Sequence, residues 1–183
     1  MIKKLFTILG WFGTYKLAWL GCVVGGGIHG YSIVGSIPML IWVAAWIWYE
    51  KENWKSLLST TVVAGLYGVF VDSLLVLTGV MIFAEHFNFG IPTPFWMVTL
   101  WLGFGALVEK SFNRLYNRWV LCALIGIIGG PMAYLGGVEM GAVSLGVSKE
   151  LFIIWVGLEW LVAMPLLTWY SQYSMAKYHD VSD

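Results

Sequence analysis

Six long apolar stretches, separated by short polar segments, run through the chain. They predict helices at about residues 5–27, 32–49, 57–83, 94–108, 119–137 and 151–170. At roughly 20 residues per span plus short loops, six helices account for a chain of 183 residues. The runs are too continuous for the alternating segments of about ten residues that build a transmembrane β-barrel. The pattern therefore predicts an all-α fold, a polytopic transmembrane bundle of about six helices.

Composition supports the same class of protein. Hydrophobic residues make up 60% of the chain and charged residues 11%, whereas soluble domains carry about 25% charged residues. Cys22 and Cys122 both fall inside apolar runs, so we expect two small buried side chains and neither a disulfide nor a metal pair. We predict a single transmembrane domain over residues 1–172 and a polar cytoplasmic tail over residues 173–183.

The distribution of basic residues predicts the orientation. With the N-terminus in the cytoplasm, the inner segments hold Lys3, Lys4, Lys51, Lys55, Lys110, Arg114, Arg118 and Lys177. The outer loops hold Lys149, and Lys16 falls within the first helix. Cytoplasmic loops of membrane proteins carry an excess of Lys and Arg. We therefore predict that both termini are cytoplasmic.

Three charged residues, Lys16, Asp72 and Glu159, fall inside predicted spans. At about 1.5 Å per residue they lie roughly 16, 22 and 18 Å from the cytoplasmic end, near the bilayer midplane. Charges at that depth face the bundle interior and pair with one another. We expect Lys16 to pair with Asp72 or with Glu159, in a buried polar centre that also contains Ser73. This centre either holds the first, third and sixth helices in register or forms a substrate or proton site.

A glycine- and proline-rich stretch lies in the fifth predicted helix. Small residues four positions apart, such as Gly126 and Gly130, let helices approach each other closely in lipid. Alternatively, Pro131 breaks the helix and frees backbone carbonyls of the preceding turn to line a cavity. On that second interpretation Gly129, Gly130, Pro131 and Tyr134 form the helix break and the wall of the cavity.

Motifs for catalysis and cofactor binding are missing from the sequence. It has no nucleophile elbow and no P-loop, which favours a protein that is not an enzyme. No His/Glu pair has the helical spacing of a metal site, so we expect no metal and no cofactor. The net charge is zero without a basic block, so we expect no nucleic acid partner. Glu109, Lys110 and Ser111, at the end of the fourth helix, are expected to be solvated.

Several short motifs together resemble a known family. They are Trp19-Leu-Gly-Cys-Val, Asp72-Ser73, Leu100-Trp101-Leu-Gly-Phe104 with Ser111, Gly129-Gly-Pro-Met-Ala-Tyr134 with Gly141-Ala-Val, and Trp160 with Met164-Pro165. Over about residues 15–170 the chain resembles a family of small bacterial inner-membrane proteins known only as a domain of unknown function. It departs from that pattern at Lys16 and at Glu109-Lys110, which leaves Asp72 as the common polar element. The resemblance implies a location in the bacterial inner membrane and supplies no established activity.

Three kinds of function stay open. The first is a membrane protein that binds or helps to process a lipidic or apolar small molecule around Asp72 and Lys16. The alternative is a small proton-coupled carrier with Asp72 and Glu159 as its titrating groups, and a second alternative is a structural membrane subunit. The expected partners are membrane lipid, a lipidic ligand, and either a second copy of the chain in a homodimer or a partner membrane protein.

Overall fold

The fold is a bundle of long helices. The computed structural model describes residues 2–84 and 89–179. Its helices are α1 (Ile2–Leu20), α2 (Ser32–Tyr49), α3 (Trp54–Leu77), α4 (Phe95–Ser111), α5 (Trp119–Glu139) and α6 (Lys149–His179). A π-helical segment (Gly21–Ile28) extends α1, and a 3-10 turn (Asn113–Leu115) follows α4. Across the described ranges, six α-helices confirm the predicted all-α class.

Four of these helices are long and apolar enough to cross a membrane. They are Ser32–Tyr49, Trp54–Leu77, Trp119–Glu139 and the Lys149–Tyr178 part of α6. Their outward faces carry large apolar side chains, and Leu66 and Phe70 on α3, for example, are 66% and 64% exposed. Soluble monomers seldom expose contiguous apolar surface on this scale. The fold is therefore that of a multi-pass membrane protein.

Helix α4 occupies the centre of the bundle. It packs against α1, α2, α3 and α6, and it buries side chains around most of its circumference, including Trp96, Trp101 and Leu107. A helix that is apolar on all sides belongs in the interior. The outer helices are therefore arranged around α4, and any internal site lies against it.

The loops alternate between the two ends of the bundle. At one end, β1 (Met81–Ile82) pairs antiparallel with β2 (Ser144–Leu145), which joins the α3–α4 and α5–α6 connections. At the opposite end, Lys110 Nζ lies 3.0 Å from Glu50 Oε2, which joins the α2–α3 and α4–α5 connections. Successive helices therefore run in opposite directions, and the start of α1 and the end of α6 lie at the same end.

Two predicted helix ends are wrong. Helix α3 ends at Leu77 instead of residue 83, because Gly79 adopts a positive φ of 73° and the following residues form β1. Helix α6 continues to His179, so residues 173–179 are helical and do not form a separate polar tail. Ser174, the small polar residue of this extension, faces the bundle, where its Oγ donates to the carbonyl of Ser56 at 3.4 Å.

The predicted break at Pro131 is also wrong, because α5 is continuous from Trp119 to Glu139 with Pro131 inside it. Proline cannot donate to the carbonyl four residues earlier, that of Ile127. On α6, Gly157 lies beside both Ile127 and Pro131, so the neighbouring helix packs over the weakened turn. Packing of this kind is how membrane proteins accommodate proline within a helix.

Close packing of α5 against α6 depends on two glycines. A Cβ atom added at Gly126 would overlap the carbonyl oxygen of Trp160, and one added at Gly130 would overlap the Trp160 ring. The expected close approach at Gly126 and Gly130 is therefore present, with α6 as the partner helix. By contrast, a Cβ at Gly129 would meet nothing within 4 Å.

We predict that Gly126→Ala destabilises the protein by about 1–3 kcal/mol, because the added methyl group must displace backbone of α6. The matched variant Gly129→Ala should be neutral or slightly stabilising, since alanine is the better helix former. Reaction of the buried thiols of Cys22 and Cys122 with a fluorogenic maleimide during heating reports unfolding of both variants. Equal midpoints for the two variants would contradict this packing arrangement.

Candidate functional site

Both carboxylate oxygens of Asp72 are hydrogen-bonded in the bundle interior. Asp72 is fully buried on α3, and each carboxylate oxygen accepts one hydrogen bond. Trp101 Nε1 on α4 donates to Oδ2 at 2.7 Å, and the Tyr134 hydroxyl on α5 donates to Oδ1 at 2.6 Å. Hydrogen bonds to a carboxylate are strengthened in a medium of low dielectric constant. Asp72 thus connects three helices through two aromatic side chains.

The local sequence of α3 creates this arrangement. Gly68 lies four residues before Asp72 and therefore on the same helix face. A Cβ at Gly68 would overlap the indole of Trp101. Because glycine leaves that space empty, the Trp101 ring lies flat on α3 with its N–H within reach of Asp72.

The predicted pairing of Lys16 with a buried carboxylate is not found. The two ion pairs among the described side chains, those of residues 10–84 and 89–178, are Lys110–Glu50 and Lys149–Glu139. The ammonium group of Lys16 instead lies 5.0 Å from the ring centre of Trp19. The physical reason is the position of α1, which packs mainly on α2 and α4, whereas the two carboxylates lie on α3 and α6.

The other two residues of the predicted polar centre lie apart from the Asp72 hydrogen bonds. Ser73 Oγ lies 2.9 Å from Thr93 Oγ1, just before α4. Glu159 on α6 is 9% exposed, and neither of its carboxylate oxygens has a hydrogen-bond partner among the described residues. It lies close enough to Asp72 for the two carboxyl groups to interact electrostatically. Glu159 therefore interacts with Asp72 electrostatically and not by a hydrogen bond. Ser73 contacts Thr93, and Lys16 contacts Trp19.

A cavity of about 360 Å³ adjoins the donors of Asp72. It lies between α1, α4, α5 and α6, and its wall includes Gly129, Gly130 and Tyr134 but not Pro131. Nine of its 21 lining residues are aromatic. The aromatic residues that line it are Phe12, Tyr15, Trp19, Trp96, Trp101, Phe104, Phe112, Tyr134 and Trp160. The volume falls in the range of pockets that bind small molecules, roughly 300–1,000 Å³.

Four of these rings form a compact aromatic cluster beside Asp72. Trp101 and Trp160 stack with ring centres 5.0 Å apart, and Phe104 meets the Trp160 ring edge-on at 4.8 Å. Tyr134 completes the cluster at 6.4 Å from Trp160. Asp72 holds two of the four rings by hydrogen bonds, so a charged residue outside the cavity fixes the position of its wall.

The cavity has a side opening between α1 and α5. Helix α5 packs on α6, but it does not pack closely on α1 or α4. Across the gap, the Trp19 ring approaches α5 to within ordinary contact distance of a Cβ atom built at Gly136 (3.9 Å). Gly129, which lines the cavity, is exposed. The cavity is therefore open to the outer surface of the bundle between α1 and α5.

A second buried carboxylate corrects another expectation. Glu109 is 1% exposed and is not solvated. Its Oε2 accepts hydrogen bonds from Ser56 Oγ at 2.9 Å and Thr60 Oγ1 at 2.8 Å, which joins α4 to α3. The adjacent Lys110 pairs with Glu50. These contacts fix the end of the bundle opposite the β strands, at a distance in sequence from Asp72, and we assign them to packing.

No sequence motif indicated that Trp101 and Tyr134 bind Asp72. A signal for the cavity was nevertheless present on α4, where Met97, Leu100, Trp101 and Phe104 recur at spacings of three and four residues. These positions share one helix face, and that face lines the cavity. The same periodicity is expected for ordinary packing against a neighbouring helix, so it does not by itself identify a cavity.

The fold and the cavity define a class: a multi-pass helical membrane protein with an aromatic internal cavity next to a buried carboxylate. The model of one protein family, described as protein of unknown function (DUF2878), matches residues 8–166. The chain belongs to this family. Comparison with curated proteins finds no match, and neither does comparison with solved structures.

We predict opposite outcomes for the same replacement at Asp72 and at Glu159. Asp72→Leu should destabilise the protein by about 2–5 kcal/mol, because the Trp101 N–H and the Tyr134 hydroxyl both lose their acceptor. Glu159→Leu should cost little or should stabilise, since its oxygens have no hydrogen-bond partner to lose and an intramembrane carboxyl group is costly. Thermal unfolding in detergent measures both. A larger loss for Glu159→Leu than for Asp72→Leu would contradict the assigned hydrogen bonds.

Proposed function

We propose that this protein binds a lipidic or apolar small molecule in the cavity between α1, α4, α5 and α6. The observation that carries the proposal is the cavity itself, about 360 Å³ in volume and lined mainly by aromatic and aliphatic side chains. Its opening between α1 and α5 faces the region that lipid occupies around the bundle. Membrane lipid is thus both the surrounding solvent and the nearest source of a ligand.

The shape of the cavity favours an elongated ligand. Along α4 its wall extends from Trp96 to Leu107, a distance of roughly 16 Å at 1.5 Å per residue. A volume of about 360 Å³ distributed over that length makes a narrow space. One hydrocarbon chain or one flat ring system suits it better than a whole two-chain lipid.

Asp72 acts in this proposal as a positioning residue. It does not line the cavity, but its two hydrogen bonds hold Trp101 and Tyr134, which do. Rigid aromatic walls lose little conformational entropy when a ligand binds. Asp72 therefore supports binding by fixing the wall, without contacting the ligand.

A proton-coupled carrier is less well supported than a binding protein. That function would need a path for water or substrate to Asp72 or Glu159. Asp72 is 0% exposed and Glu159 is 9% exposed, and neither belongs to the wall of the described cavity. The geometry thus favours binding of a molecule in the cavity over passage of a proton through Asp72 and Glu159.

We also propose that the protein lies in the bacterial inner membrane with both chain termini in the cytoplasm. The bundle end that contains the α2–α3 and α4–α5 connections carries Lys51, Lys55, Lys110, Arg114 and Arg118. The opposite end carries Lys149. An excess of Lys and Arg on one side is the usual determinant of orientation, and that side is cytoplasmic.

We predict that Gly129→Leu abolishes binding without loss of stability, because the new side chain fills empty space in the cavity. The probe is the methyl ester of a hexadecanoic acid that carries a diazirine and an alkyne, used for photolabelling in native membranes. In the wild type, excess unlabelled ester should suppress labelling of peptides that line the cavity.

The matched control is Gly13→Leu, at an exposed position on α1 where a Cβ would also meet nothing within 4 Å. Gly13 does not line the cavity, so this variant should label like the wild type. Loss of labelling in Gly129→Leu alone supports the proposal. The proposal is overturned if excess ester does not suppress labelling of the cavity peptides. It is also overturned if that labelling persists in Gly129→Leu.

A further inference from the structure

Lys16 lies at membrane depth. Two residues before it, Thr14 Oγ1 accepts a hydrogen bond from Trp42 Nε1 at 3.0 Å. Trp42 lies near the middle of α2, roughly 10 Å from the helix end at Tyr49 at 1.5 Å per residue. Because Thr14 is level with the middle of a membrane-crossing helix, Lys16 lies within the apolar region as well.

The side chains of residues 10–84 and 89–178 supply no counter-ion to Lys16, since the ion pairs among them are Lys110–Glu50 and Lys149–Glu139. The ring of Trp19, 5.0 Å from the Lys16 ammonium group, provides a cation–π contact. Such a contact compensates only part of the cost of an ammonium group in hydrocarbon. A bound anion, supplied by a ligand, would therefore stabilise the Lys16 ammonium group further.

Lys16 also forms part of the cavity wall. Among the described residues that line the cavity, it is the only charged one, and the others are overwhelmingly aromatic or aliphatic. The cavity thus combines a long apolar body with a single cation at its α1 side, next to the opening. A ligand that matches it has a long apolar body with a single anion.

We propose that the ligand is a single-chain amphiphile whose anionic end group, a carboxylate or a phosphate, pairs with Lys16. Its hydrocarbon chain extends along the aromatic wall that Trp101 and Tyr134 form. This inference rests on the proposed function, because it assigns a ligand class to the same cavity. The pairing removes the uncompensated charge at Lys16 and anchors the chain at one end.

The test compares two photoprobes that differ only at the carboxyl group: hexadecanoic acid carrying a diazirine and an alkyne, and its uncharged methyl ester. In the wild type, half-maximal labelling of the cavity peptides should need a roughly tenfold lower concentration of the acid than of the ester. Lys16→Gln should remove this preference, so that half-maximal labelling needs about equal concentrations of the acid and the ester. Lys16→Arg should keep it, and Lys51→Gln, which removes a charge outside the cavity, should have no effect.

The outcomes separate the two proposals. Equal labelling by acid and ester in the wild type, or an acid preference that survives Lys16→Gln, overturns the anionic ligand while leaving the apolar cavity in place. Failure of the ester to label the cavity competitively overturns the cavity function itself. Competition by unlabelled hexadecanoate and by hexadecyl phosphate then identifies the end group, and stronger competition by either one supports the assignment.

Discussion

A carboxylate inside a bilayer must find hydrogen-bond donors, and in this protein that requirement organises the bundle around Asp72. A charged side chain at the centre of a membrane helix costs about 2.5–3.5 kcal/mol on insertion scales. Trp101 and Tyr134 each supply a donor, from α4 and α5. Because both donors belong to large rings, satisfying one carboxylate also fixes two large aromatic surfaces. The cavity wall is a consequence of that constraint.

The space for these rings comes from glycine. Gly68 lets the Trp101 ring lie against α3, while Gly126 and Gly130 let α5 approach the backbone and ring of Trp160 on α6. In lipid, where the hydrophobic effect does not drive helices together, close contact of this kind is a main source of association. The combination of bulky indoles with glycine faces explains how the bundle is tightly packed around α4 and still leaves α1 and α5 apart.

The architecture was predictable from the sequence, and the partners of its charges were not. Six apolar runs of sufficient length dictate a helical membrane bundle, because every backbone polar group in lipid must be satisfied within the structure. The apolar runs also placed Lys16, Asp72 and Glu159 within helices, where the structure has them. Which helices are neighbours did not follow from the runs, so Lys16 was assigned to carboxylates on α3 and α6, whereas α1 packs mainly on α2 and α4. Pro131 gave a helix break from local rules alone, whereas packing against Gly157 keeps α5 continuous.

The most direct test is an experimental structure of the wild-type protein in a lipid bilayer, determined without added ligand. We expect an elongated non-protein density between α1 and α5, against Trp101 and Tyr134, with both side chains within hydrogen-bond distance of Asp72. The end of that density should lie at Lys16. Direct contact between α1 and α5 that leaves no room for such density, with Asp72 bound to other partners, would contradict a ligand-binding cavity held by Asp72.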